Sequence, residues 1–204
     1  MTTKSSPRLT VLDLETTGLS PYNSQILQIA AARVRPDRWQ VESRFHTFVR
    51  IDGPIPRFIS QLTGITQSDL TGAPGIREAL LALADFVGEG GRVIAHNGKR
   101  FDMPFIRESC SRHDVPVREV DFVDSMAISR KCWGGTRGHG MDDLLRRLGL
   151  TAGGNGWARH DARGDVELLT EAIGRMRSSF ATVDALLHEL SVGVPFPAGR
   201  GGPG

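Results

Sequence analysis

The segment VLDLETTGL places Asp13 and Glu15 two residues apart in an otherwise apolar run. In an extended strand the side-chain period of two sends both carboxylates out of the same face. Side by side in a buried strand they repel each other and lose hydration, so keeping both ionised calls for a cation. A divalent metal with hard oxygen ligands, magnesium or manganese, answers that need. A strand end whose acids simply reach water is the alternative that this segment alone leaves open.

Two further stretches carry related chemistry. RVIAHNGKRFDMPFI runs from a strand through a His-Asn-Gly turn and sets Asp102 at a helix start, where a carboxylate also serves as a cap or dipole partner. RHDARGDVELL offers His160 in a loop and Asp165 in the first turns of the following helix. An exposed histidine beside a solvated helix start is the competing reading there. All three stretches fall at strand ends or helix starts, where a mixed sheet gathers its loop chemistry, and they point to one site.

The elements that must position these groups follow from the hydrophobic patterning. Leu9 to Leu14, Ile26 to Arg35 and Val41 to Val49 read as three strands joined by short turns, an antiparallel meander. Beyond them helical spacing over Ile76 to Val87 precedes strand Arg92 to Ala95, and a helix over Pro104 to His113 precedes strand Val120 to Val123. Helices around Met126, over Met141 to Leu148 and over Ala162 to Met176, with a last one within Ser178 to Leu190, complete the order. A meander followed by alternating strands and helices predicts an α/β domain: a mixed five-stranded sheet, antiparallel then parallel, flanked by helices. The expected domain spans residues 8–191, between a flexible start (1–7) and a flexible Gly/Pro-rich tail (192–204).

Composition narrows the setting. A chain of 204 residues with net charge +2 fits one domain and is neutral on whether the partner is a polyanion. Its two cysteines, Cys110 and Cys132, lack zinc-type spacing and read as reduced thiols of a cytoplasmic protein. No apolar run approaches membrane-spanning length, so no membrane role is expected.

Together the three motifs resemble those of the DEDDh (DnaQ-like) 3′→5′ exonucleases, which have a ribonuclease H-like fold. The likeness extends through IPRFISQLTGITQSDLTGAPGIREAL and MDDLLRRLGL, and AHNGKRFD and HDARGDVELL are locally similar to the three-prime repair exonucleases. The resemblance implies that Asp13, Glu15, Asp102 and Asp165 hold two divalent ions, Mg2+ with Mn2+ able to substitute, and that His160 is the general base. It also implies contacts to the terminal nucleotide from Thr16, Thr17, Gly18 and Leu19, with Asn97 and Phe101 flanking the Asp102 turn. Leu19 reads equally as core packing, whereas Phe101 reads first as an anchor of the helix to the sheet and second as a base-stacking ring. Gln28 departs from the glutamate common in the family.

The implied activity is release of nucleoside 5′-monophosphates from single-stranded or frayed 3′ ends, DNA favoured, in repair, proofreading or end-trimming. A polymerase or another nucleic-acid-processing protein is the partner class that the resemblance admits. An exoribonuclease of the same fold and a non-catalytic nucleic-acid-binding module are the competing functions. The loop from Lys131 to Gly140 reads either as plain flexible chain or as a strand-contacting loop with Trp133 free to stack.

Overall fold

The computed structural model describes residues 8–151 and 159–200. Three strands open the fold: β1 (Leu9–Thr16), β2 (Ile26–Arg35) and β3 (Gln40–Phe48). They form the expected antiparallel meander, with Asp13 opposite Ala30 and Glu15 opposite Gln28. The chain then makes α1 (Arg57–Thr63), α2 (Ile76–Val87), β4 (Arg92–Ala95), α3 (Asp102–Arg112) and β5 (Val117–Asp124). It closes with α4 (Ser125–Cys132), α5 (Met141–Leu148), α6 (Ala162–Ser179), α7 (Val183–Glu189) and β6 (Val192–Pro197). The sheet order is β3-β2-β1-β4-β5-β6, with β4 parallel to both β1 and β5.

Alternation along β1 divides the core. Leu12 and Leu14 pack with Leu80, Leu83, Phe105 and Ile106 of α2 and α3. Leu9 and Val11 point the other way, onto Leu144, Val166 and Ile173 of α5 and α6. Asp13 and Glu15 continue the second series, so the period of two delivers both acids to the α6 side of the sheet. The carboxyl ends of parallel strands β1, β4 and β5 lie along one edge, which is where the fold leaves room for chemistry.

Two features differ from expectation. The sheet has six strands rather than five, because Val192–Pro197 pairs antiparallel with β5 where a flexible tail is predicted. Burial of Phe196, with Val194 packed beside it, outweighs the local glycine and proline content, while Val192 stays exposed. An edge strand tolerates Pro195 and Pro197 because one of its sides needs no ladder donor. The predicted tail residues 201–204 and the predicted flexible start 1–7 lie outside the described residues. The second difference is α1, a short helix with no buried residue in a stretch read only as a connection. Among the described residues no helix is long and apolar enough to cross a membrane.

Candidate active site

A cleft of about 410 Å³ opens at the ends of β1 and β4 and is lined by Asp13, Glu15, Asp102, His160 and Asp165 together. Thr16, Asn97 and Phe101 also line it, and α1 closes one wall with Ile59, Leu62 and Thr63. Three stretches separated by up to 152 positions thus deliver their acids to one place. The remaining predicted contacts, Thr17, Gly18 and Leu19, sit on the adjoining turn and do not line the cleft. Leu19 is 86% exposed there, so it is not core.

Each acid is positioned by its own element. Asp13 and Glu15 ride on β1. Asp102 opens α3 from a turn that Asp124, at the end of β5, ties down by accepting hydrogen bonds from Asn97 N (3.0 Å) and Lys99 N (3.1 Å). The same carboxylate caps α4 through Met126 N. Asn97 takes φ +59, and a Cβ on Gly98 would meet Ala95 Cβ at 2.6 Å, so that turn requires glycine. Phe101 faces the cleft and also packs on Phe105, anchoring α3 to the sheet as well as shaping the site.

Asp165 lies in the first turn of α6, whose N-cap is Asp161. Gln28, fully buried on β2, accepts a hydrogen bond from Ala162 N (3.0 Å) and donates to Asp161 (3.2 Å). Its amide also contacts His46 Nε2 at 3.0 Å. The family departure at Gln28 therefore falls on the residue that pins the start of α6, immediately after His160. A neutral amide suits this place because its two ends serve an N–H and a carboxylate at once. His160 itself adopts φ +64, and its N–H donates to Asp165 Oδ2 (3.3 Å).

The electrostatics of the cleft are those of crowded acids. Burial raises Asp13 well above the ordinary carboxylate range, and Asp102, Asp165 and Glu15 add to the shift. Burial likewise pushes Glu15 up to about 8, helped by Asp165 and Asp102. Asp102 is raised too, first by burial and then by Asp124. Side-chain atoms of Glu15, His160 and Asp165 lie within 4.8 Å of one another, and Asp102 Oδ1 is buried with no hydrogen-bond partner among the described residues. An orphaned carboxylate oxygen in a cleft where further carboxylates converge fits a divalent cation.

These shifts carry a stability consequence. A carboxyl raised in the folded state binds a proton there that the unfolded chain has already lost, so stability falls as pH rises between the ordinary value and the folded one. In chelator the melting temperature is expected to drop from about pH 4 up to about pH 8, where Glu15 ionises. Millimolar Mg2+ should flatten that slope. A melting temperature that is level, or that climbs with pH, in chelator would contradict the picture of crowded, mutually repelling acids.

Sequence reading passed over three residues. Arg159 reaches into the cleft beside His160. Asp124 carries a recognisable signal, a strand-end acid before a helix, which is a capping signature. His96 lines the cleft with Nδ1 on Ser125 Oγ (2.9 Å), and burial lowers it to about 4. The Lys131–Gly140 loop is not free chain: His139 bonds Ser129, Arg147 bonds Arg137 O, and Trp133 packs edge-on against Phe180. Trp133 is thereby committed to the core side.

Residues 10–173 match the family model RNase_T, described as Exonuclease. The "DNA polymerase III PolC-type" of Streptococcus pyogenes serotype M1 is 31% identical over 159 residues, covering 78% of this chain. That stretch is 11% of the relative, so the chain spans a small part of the curated proteins it matches. Among solved structures, the nuclease domain of 3'hExo, a DEDDh family member bound to rAMP, superposes with TM-score 0.73 at 16% identity, covering 86% of this chain and 94% of that one. Exonuclease X in complex with 5′ overhanging duplex DNA gives 0.65 at 21% identity, covering 88% and 98%. Both share the ribonuclease H-like fold. The matching stretch runs from before Asp13 to beyond Asp165, and on that footing the chain belongs to the exonuclease family, a family of hydrolytic nucleases.

Proposed function

We propose that the chain removes nucleotides one at a time from the 3′ ends of single-stranded or frayed DNA, releasing nucleoside 5′-monophosphates. The observation that carries this reading is the convergence of Asp13, Glu15, Asp102, Asp165 and His160 on one cleft at the carboxyl ends of the parallel strands. Divalent ions, Mg2+ or Mn2+ and two in number, would supply Lewis acidity and a lowered water pKa at the scissile phosphate. The chain's own part is to hold and orient. Asp13, Glu15, Asp102 and Asp165 provide the oxygen ligands, and His160, within reach of Glu15 and Asp165, accepts the proton of the attacking water.

Substrate placement falls to the cleft walls. Thr16 Oγ1 donates to Gly18 O (2.6 Å) and Thr17 Oγ1 accepts from Gln25 N (2.8 Å), so both hydroxyls shape the turn while keeping one hydrogen-bonding function each for a terminal sugar. Exposed Leu19 and the Leu62 side of α1 offer apolar surface to an unstacked base, with Asn97 and Phe101 opposite. The likeness to a PolC-type polymerase supports DNA as substrate and a polymerase as working partner. Free Cys110 and Cys132 accord with a cytoplasmic setting. Occupation of all five acid and imidazole positions weighs against a non-catalytic module.

Matched DNA and RNA oligonucleotides, labelled at either end and incubated with Mg2+, Mn2+ or chelator, test every part of this. A 5′-labelled DNA strand should shorten in single-nucleotide steps, and a 3′-labelled one should release labelled mononucleotide at once. Preference for RNA would overturn the substrate, first release from a 5′ label the direction, and undiminished rate in chelator the metal requirement.

A further inference from the structure

Four acids in one cleft need positive charge even before a metal arrives, and the chain supplies one. Arg159 lines the cleft and forms an ion pair through Nη1 with Asp165 Oδ1. Its Nε donates to Asp142 Oδ1 at 3.1 Å, in the first turn of α5. The side chain is only 21% exposed, and the two partners differ sharply: Asp165 is 8% exposed and Asp142 76%. One end of the guanidinium is thus bound into the cleft, and the other is held at its rim.

The carboxylate that Arg159 covers belongs to the trio whose ligand atoms lie within 4.8 Å of one another. Asp165 Oδ1 is buried, and among the described residues the Arg159 guanidinium is the one partner it has. The guanidinium also counters the raised pKa of Asp13 and of Glu15. A guanidinium keeps its charge at any working pH, so it cannot leave by losing a proton. It leaves only by moving.

We propose that Arg159 is a built-in counter-cation that an entering divalent metal must displace from Asp165, with Asp142 retaining the guanidinium at the rim. Metal loading is then an exchange of one cation for another rather than the filling of a bare acidic site. Without metal, the arginine offsets the repulsion among the acids. With metal, the same residue is released next to His160, so loading and the setting of the His160 loop are linked. The inference rests on the metal-binding reading above.

Wild type, Arg159→Gln and Arg159→Lys are compared by electron paramagnetic resonance of free Mn2+ during titration, and by thermal denaturation in EDTA. Arg159→Gln is expected to bind Mn2+ about tenfold more tightly, the scale of one partly buried charge pair, and to melt earlier in EDTA. Arg159→Lys restores the charge and should return both readings toward wild type. Should Arg159→Gln be unfolded in EDTA, Mn2+-driven refolding of that variant alone supports the same exchange. Equal Mn2+ affinity in wild type and Arg159→Gln, or weaker binding in the variant, overturns the role of Arg159 and leaves the metal site standing. Absence of Mn2+ binding in all three proteins overturns the metal site and this inference with it.

Discussion

Asp13→Asn should stop nucleotide release while making the metal-free protein more stable. Activity is expected to fall by about a thousandfold or more, because the variant removes a charged ligand at the point where transition-state charge is neutralised. Stability moves the other way. Asp13 is raised first by burial and then by Asp102, Asp165 and Glu15, so each of those acids is relieved when its neighbour becomes a neutral amide of the same shape. The new amide N–H groups find acceptors in those carboxylates, which avoids an unsatisfied buried donor. For a domain of this size the melting temperature rises by roughly 2–4 °C for each kcal/mol of repulsion relieved. The gain should be largest in EDTA above about pH 8, where Glu15 is ionised, and should shrink or reverse in Mg2+, which stabilises only the intact site. Labelled-strand digestion and differential scanning calorimetry in EDTA check the two halves separately. Turnover within tenfold of wild type, or a lower melting temperature in EDTA, would mean that Asp13 is not part of a crowded metal-binding cluster.

The same balance explains which parts of the site were legible in the sequence. Asp13 and Glu15 could be placed together because a strand's period of two is a local rule, and nothing in the fold had to be known to apply it. Asp165 could be set near a helix start by local patterning, but only the resemblance made it a ligand, and its cap Asp161 shows in the fold alone. Gln28 was visible only as a departure from a family habit. Its purpose lies in contacts to Asp161 and Ala162, 133 and 134 positions away, and no local rule reaches that far. Arg159 was hidden for the same reason, since it lies in the turn before α6 and its outer partner Asp142 sits on α5, 17 positions earlier. β6 was misread because glycine and proline content was weighed above the Val-x-Val-x-Phe alternation, which buries Phe196 against the sheet. The Lys131–Gly140 loop stays open between flexible chain and strand contact in sequence because its staples, Trp133 on Phe180 and Arg147 on Arg137 O, close only in three dimensions.

His160→Ala should lose two to four orders of magnitude in kcat, roughly what a positioned general base contributes, with little change in KM. The imidazole lies with Glu15 and Asp165 within 4.8 Å, close enough to take a proton from a water held among those acids, and no other described side chain in the cleft offers a comparable base. His96 is the nearest alternative, but its Nδ1 is engaged by Ser125, and burial lowers it to about 4. Alanine alone would be ambiguous, because His160 sits at φ +64, a left-handed conformation that a Cβ disfavours. His160→Asn resolves this, since asparagine tolerates that backbone but cannot accept the proton. If the loss comes from the missing base, both variants fall alike and both gain rate as hydroxide concentration rises, while wild type levels off. Recovery of most of the rate in His160→Asn would assign the effect to backbone geometry and remove His160 from the chemistry.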